Sequence, residues 1–381
     1  MKWQEKTFDE IGFISRGRSR HRPRNAEHLY GGEYPFVQTG DVKAANFRIL
    51  EYSQTYNEIG LAQSKLWPRD TLCITIAANI AETALLGFDG CFPDSIIGFI
   101  PYEGKADVRF VKYFFDVWKE RMQRVSAGAA QDNLSLEKLI QFKIPTPPFE
   151  TQRKISSILS AYDDLIENNL KRIKLLEEKA FVKYKQIVRD EKIEVVKLKD
   201  VATVNETNLK ANTNFDKLIY VDIASVSTGS IDYRTEYDLK DAPGRAKRIL
   251  RHRDIIWSCV RPNRKSYSII WQPEQNLIAS TGFAVLTAKK IPATFLYQLV
   301  TTNEFVNYLE NHAKGATYPA VTASDFEDAT IGICSPKIME DYEDEFDHVF
   351  ELKHVLNQQN AKLREARDIL LPKLMNGQIE V

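Results

Sequence analysis

The sequence predicts an α+β protein: two mixed α/β globular domains and two long antiparallel coiled-coil helices, arranged as a pseudo-twofold repeat. Three observations predict this. Two long amphipathic stretches carry apolar residues at alternating spacings of three and four. Matching motifs recur in order in the two halves of the 381-residue chain. Within each half, short β-branched runs alternate with turn residues and one or two helical stretches, the pattern of a mixed or antiparallel sheet with added helices.

The helices give the strongest signal. After Pro147 and Pro148 there is no Pro or Gly until Gly229. From Thr151 to about Arg189 the seam reads Ile155, Leu159, Tyr162, Ile166, Asn169, Ile173, Leu176 and Ala180, a heptad-like stripe flanked by charged, solvated positions. A second helix is expected from about Lys337 to Leu371, with Pro336 before it and Pro372 ending it. Its seam reads Met339, Tyr342, Phe346, Val349, Lys353, Leu356, Asn360, Leu363, Arg367, Leu370 and Leu374, with three polar positions. Asn169 and Asn360 each fall near mid-helix. They are either a facing pair that fixes register at a cost in stability or solvent-facing residues.

The globular halves share an order of features. Phe36-Val-Gln38 corresponds to Tyr220-Val-Asp222, and Pro68-Arg-Asp70 to His252-Arg-Asp254. Gly98-Phe99 corresponds to Gly282-Phe283 at the same offset of 184. A helical stretch at Val111–Trp118 matches one at Thr294–Val300, and the loop Gly128–Leu134 matches Gly315–Val321. Several motifs in order at nearly constant spacing indicate a duplication. The expected organisation is a first domain at 1–148, a helix at 149–191, a second domain at 192–335, and a second helix with a short tail at 336–381.

Composition narrows the function. Hydrophobic residues make up 43% and charged residues 27%, enough for two buried cores. No run of 18 apolar residues suggests a membrane span, and no secretion signal opens the chain, so the expected location is the cytoplasm. Cys73, Cys91, Cys259 and Cys334 form no CxxC pair and sit in strand-like contexts, as buried thiols do. The six histidines show no metal-binding spacing, so no metal site is expected.

Lys plus Arg and Asp plus Glu both total 52, yet basic residues cluster once in each half. Arg16, Arg18, Arg20, Arg22 and Arg24 alternate along one loop. Arg245, Lys247, Arg248, Arg251, Arg253, Arg261, Arg264 and Lys265 form the second cluster, opposed only by Asp254. Loop arginines grip phosphates and read guanine edges bidentately. Polar loop residues accompany them: Asn79, Gln131 and Asn133 in the first half, Asn263, Thr317 and Tyr318 in the second. Asn and Gln pair with adenine, although in loops they also satisfy turns. The candidate DNA contacts are therefore Arg16, Arg18, Arg20, Arg22, Arg24, Asn79, Gln131, Asn133, Arg245, Arg248, Arg261, Asn263, Arg264, Lys265, Thr317 and Tyr318.

Two catalytic patterns compete with this reading. Thr146-Pro-Pro-Phe149 is similar to an amino-methyltransferase motif, but its first residue is wrong and no Gly-rich cofactor loop lies upstream. Asp94, Glu103 and Lys105 fit a loose nuclease pattern in which two carboxylates hold Mg²⁺. The second half does not repeat it: the same offset gives Ile278, Thr287 and Lys289. A coiled-coil assembly protein with no DNA role is the third reading.

Two halves, two seam helices, the run Pro147-Pro-Phe-Glu-Thr-Gln-Arg-Lys-Ile155 and the ending Leu363-Arg-Glu-Ala-Arg-Asp-Ile-Leu-Leu-Pro-Lys-Leu-Met375 together resemble the specificity subunit of type I restriction–modification systems. The resemblance spans the chain. It implies two target-recognition domains, each reading one part of a split double-stranded DNA target, with the helices as antiparallel spacers. It implies two methyltransferase subunits carrying S-adenosylmethionine and restriction subunits using ATP and Mg²⁺ as partners, with no cofactor and no catalytic residue on this chain. One departure is Ser335-Pro-Lys-Ile-Met-Glu-Asp-Tyr342, which lacks the Gln-Arg of the first helix start. A helix of about 38 residues would be roughly 57 Å long, the length of about 17 base pairs, so a bipartite site with a gap of several base pairs is expected.

Overall fold

The computed structural model describes residues 3–77, 80–127, 134–210, 213 and 215–381. The chain divides into two compact units, one formed by Met1–Lys171 with Gln358–Val381 and the other by Arg172–Asn357. Two long helices, Phe149–Asp190 and Pro336–Met375, each contribute one end to each unit.

The two units repeat a topology strand for strand. In the first, Gly12–Arg16, Ile96–Pro101, Leu72–Thr75 and Thr83–Leu86 lie in that order as antiparallel neighbours. In the second, Ala202–Val204, Phe283–Ala288, Ile255–Ser258 and Tyr267–Ile269 take the same order. Each unit has a further sheet built on a parallel pair: Tyr30–Phe36 with Gly90–Cys91, and Lys217–Val221 with Leu277–Ser280. Each also has a two-stranded ribbon, Gln4–Lys6 with Ile144–Thr146 and Glu194–Lys197 with Thr330–Ile333. Among the described residues, the first unit alone adds Arg48–Ile49, parallel to Thr83–Leu86, and the second alone adds Val226–Ser227 paired with Ser230–Ile231.

The duplication holds, but its register differs from the motif alignment. Leu72–Thr75 and Ile255–Ser258 are 183 residues apart, not 184. Asp70 therefore corresponds to Arg253 rather than to Asp254. Both residues take positive φ, 63° and 70°, and their amides donate to Leu86 O and Ile270 O at 2.8 and 2.7 Å. The Gly-Phe correspondence also shifts. Gly98 pairs with Cys73 in mid-strand, whereas Phe283 opens its strand opposite Ser258. A slip of one residue reverses the face of every side chain in a strand, so pairing and not motif similarity sets the correspondence.

Each unit buries its own helix ends. In the first, Ile155, Leu159, Leu374 and Met375 pack into a core with Phe8, Leu72, Ile97 and Phe115. In the second, Ala180, Tyr184, Tyr342 and Phe346 join Trp257, Phe295, Leu296 and Phe326, and the Trp257 indole donates to Val300 O at 2.9 Å. Fully burying side chains of this size contributes roughly 1.5–3 kcal/mol each. This explains why the second helix runs past Pro372, where the sequence pattern ends it. A proline there costs a single i→i−4 bond close to the C-terminus, while Leu374 and Met375 beyond it are core residues.

The helices run antiparallel within each unit. In the first, Asn169 Nδ2 donates to Asn360 Oδ1 at 3.0 Å, and Arg367 ion-pairs with Asp163. In the second, Lys353 ion-pairs with Glu177, and the Tyr342 hydroxyl donates to Ala180 O at 3.1 Å. Of the remaining seam residues, Ile166, Ile173, Val349 and Leu356 are buried, and Tyr162, Leu176, Leu363 and Leu370 are half-buried.

Gln152 gives the Pro-Pro-x-x-x-Gln run a physical role. It is 1% exposed. Its oxygen accepts from the Asp107 amide at 3.0 Å, and its nitrogen donates to Pro147 O at 3.0 Å and Lys105 O at 3.3 Å. It thereby ties the first turn of the helix to the domain before it. Thr146-Pro-Pro-Phe149 is thus a strand end running into a helix start.

Candidate nucleic-acid interface

The first arginine series continues the strand Gly12–Arg16 into a loop. Arg16, Arg18, Arg20, Arg22 and Arg24 are exposed, while the intervening Gly17 and Ser19 are buried. A Cβ at Gly17 would meet Phe92 O at 2.3 Å, so only glycine lets the chain pass there. The loop is held from both sides. Gln63 Oε1 accepts from the amides of Arg20 and His21 at 2.6 and 3.0 Å, and Ser64 Oγ donates to Arg18 O at 2.7 Å.

The five guanidinium groups are not equivalent. Arg18 Nε donates to Ser64 O at 2.7 Å. Arg22 Nη1 donates to Ser19 O and His21 O at 2.7 and 2.8 Å. Arg24 pairs with Asp94 at 2.6 Å, with Arg22 3.9 Å from the same carboxylate. Arg18, Arg22 and Arg24 thus shape the loop, and Arg16 and Arg20 complete the exposed row. Beside them, Lys65 lies 3.5 Å from the Trp67 ring centroid and 4.3 Å from that of Phe13. Burial, and then the charge of Arg18, hold its ammonium below the usual lysine range. Residue type and spacing gave no hint of Lys65 or Gln63. Asn79, Gln131 and Asn133 lie outside the described residues.

In the second unit the structure joins candidates that are far apart in sequence. Arg261, at the end of the Ile255–Ser258 strand loop, has φ 52°. Its amide donates to Pro319 O at 2.7 Å and its Nη2 to Thr317 O at 3.2 Å. Its guanidinium stands 4.5 Å from the Tyr318 ring centroid. Tyr318 is 65% exposed. Asn263 and Arg264 are exposed on the same loop, and Lys265 is fixed by donation to Asn303 Oδ1 at 2.9 Å. A planar cation stacked beside an exposed ring, on loops pinned by backbone bonds, suits base and phosphate contact. The first unit has the equivalent backbone bond: Leu134 N donates to Ile76 O at 3.1 Å, as Val321 N does to Cys259 O at 2.9 Å.

The remainder of the second basic run does not form one patch. Arg245 is exposed in a turn. Arg248 donates to Asn208 Oδ1 at 2.5 Å; its Nε is buried without a partner, and burial lowers its pKa. Arg253 faces the second long helix, paired with Glu343 at 2.8 Å and Asp347 at 2.6 Å and close to the Trp271 ring. It docks that helix onto its own unit.

The nuclease alternative fails on geometry. Asp94 precedes the strand Ile96–Pro101 and Glu103 follows it. Six extended residues span about 20 Å, whereas two carboxylates on one Mg²⁺ each bind at about 2 Å. Asp94 is also occupied by Arg24. Among the described residues, no group of three or more His, Cys, Asp or Glu could hold a metal ion. The four cysteines are unpaired thiols, and burial pushes Cys259 up to about 11. No helix among the described residues is long and apolar enough to cross a membrane.

Residues 1–178 match the type I restriction modification DNA specificity domain. Over its whole length the chain is similar to type I restriction specificity subunits. The MjaIX specificity subunit of Methanocaldococcus jannaschii is 23% identical over 420 residues, covering 100% of this chain and 94% of the relative. The MjaVIII specificity subunit of the same organism is 22% identical, covering 82% of this chain and 79% of the relative. The crystal structure of the type I restriction-modification system S subunit from M. genitalium has the same fold, with TM-score 0.55 at 16% identity, covering 98% of this chain and 96% of that one.

Proposed function

We propose that this chain is the DNA-recognition subunit of a type I restriction–modification complex and that each unit reads one part of a split, asymmetric target. The observation that carries this reading is a scaffold of sheets repeated in the same strand order under unlike loops. The arginine row of Arg16 to Arg24 serves one half-site, and the Arg261–Tyr318 pair with Asn263, Arg264 and Lys265 serves the other. Two similar frames with different contact groups require two different half-sites.

In this reading the chain binds DNA and carries no catalytic group. Two methyltransferase subunits hold S-adenosylmethionine, restriction subunits supply ATP- and Mg²⁺-dependent cleavage, and the complex works in the cytoplasm. The test is selection from a randomised duplex pool by the chain purified together with its methyltransferase subunits. Enrichment of a two-part motif with an unspecified gap is expected. Retention without any sequence preference would favour an assembly protein with no reading role, and Mg²⁺-dependent cleavage by the chain alone, lost in Asp94→Ala, would favour a nuclease.

A further inference from the structure

The polar positions in the helix seam form a pattern that DNA recognition does not use. In the first unit the seam holds Asp163 against Arg367, and in the second it holds Glu177 against Lys353. Both pairs sit among buried neighbours. The Asp163 side chain is 2% exposed and that of Lys353 is 9% exposed. Each buried member also reaches into the domain of its own unit: Tyr113 donates to Asp163 at 2.6 Å, and Lys353 donates to Gly229 O at 2.8 Å.

The two pairs occupy equivalent places in the repeat. Lys353 follows Asp163 by 190 residues, and Arg367 follows Glu177 by the same 190. Exchanging the two helices therefore maps one ion pair onto the other with its sign inverted. Both acids lie on the first helix and both bases on the second.

We propose that the helix seam is charge-keyed, so that the first helix accepts the second helix and rejects a copy of itself. In a first-helix homodimer of the same register, Asp163 would face Glu177. In a second-helix homodimer, Lys353 would face Arg367. Either arrangement sets a buried charge, Asp163 or Lys353, against one of like sign in place of its partner, a penalty in a seam of low dielectric, and repulsion against the wrong partner is how a pairing surface becomes specific. The Asn169–Asn360 contact does not supply this discrimination. An amide is both donor and acceptor and pairs equally well with another amide. The accepted partner is thus the second helix of the same chain, or of a second copy that exchanges it. This inference rests on the helix pair alone and stands whatever DNA the chain reads.

The test uses two full-length variants. One carries Asp163→Lys and Glu177→Lys, making both helices basic; the other carries Lys353→Glu and Arg367→Glu, making both acidic. Each variant alone is expected to melt below the wild type and to form no dimer. Refolded together, they are expected to give a 1:1 mixed dimer by native mass spectrometry, at least about tenfold in excess of either same-variant dimer. Wild-type melting of each variant as a monomer, or same-variant dimers as abundant as mixed ones, would overturn the proposal. If neither variant folds alone or together, one chain carrying all four substitutions decides. A folded monomer supports the key. An unfolded one overturns it, because the charges would then serve Tyr113 and Gly229 rather than the choice of helix.

Discussion

The two units place their basic side chains on the same frame in different ways. The first sets five arginines along one loop that leaves a strand, with Arg18, Arg22 and Arg24 folded back onto the protein. The second brings two distant loops together, so that Arg261 is clasped by Thr317 and Pro319 beside Tyr318. Duplication conserves what must pack and frees what must differ. The shared strands are fixed by burial and pairing; the loops answer only to the local bonds that hold their shape.

The largest effects should come from breaking each frame separately. Phe346→Ala should destabilise the second unit by about 3–5 kcal/mol and Leu374→Ala the first by about 2–5 kcal/mol, since the two residues belong to different cores. Hydrogen exchange should rise at Ile255–Ser258 in one variant and at Leu72–Thr75 in the other. Equal loosening of both strands in either variant would merge the two units into one.

Next is the amide pair. Asn169→Ala leaves Asn360 buried and takes the donor from its Oδ1, beside an Nδ2 that has no partner already, at a cost of about 1–3 kcal/mol. Replacing both residues with Leu should recover most of it in denaturant titrations. Failure to recover would mean that the pair contributes net stability and not only register.

The contact loops should then separate by kind. Arg261→Ala or Tyr318→Ala should cost about 1–3 kcal/mol of affinity for the specific duplex, with the change confined to one part of the target. Arg20→Ala is expected to weaken binding on all sequences alike and to lower the salt slope by about 1. The smallest effect belongs to Arg24→Ala: breaking its exposed pair with Asp94 should alter stability by about 0–1 kcal/mol, read from the melting temperature.

The sequence revealed the frame better than the surface, and particular residues show why. The long helices were legible because Ile155, Leu159 and Ile166 repeat with helical spacing and have to be buried. Lys353 and Arg367 read as interruptions of the second seam, because their partners Glu177 and Asp163 stand just off the apolar stripe of the first. A charge pair across two helices leaves no periodic trace in either one. The repeat was legible but out of register at particular motifs: by one residue at Asp70, which backbone conformation relates to Arg253, and by three at Gly98, which strand pairing relates to Val285. The pairing of Arg261 with Tyr318 was hidden for a similar reason: it depends on the amide of Arg261 finding Pro319 O, and each residue was visible only as a separate loop position. Arg253 looked like the rest of its basic run, and only Glu343 and Asp347 on a distant helix mark it as a structural anchor.

Mapping methylated bases in cells that carry the complete system shows whether two unlike units read two halves of one target. The wild-type chain should give a two-part motif with an unspecified gap, and Arg261→Ala should relax one part while leaving the other intact. A single continuous motif, or a loss spread evenly over both parts, would mean that the two units do not read separate halves.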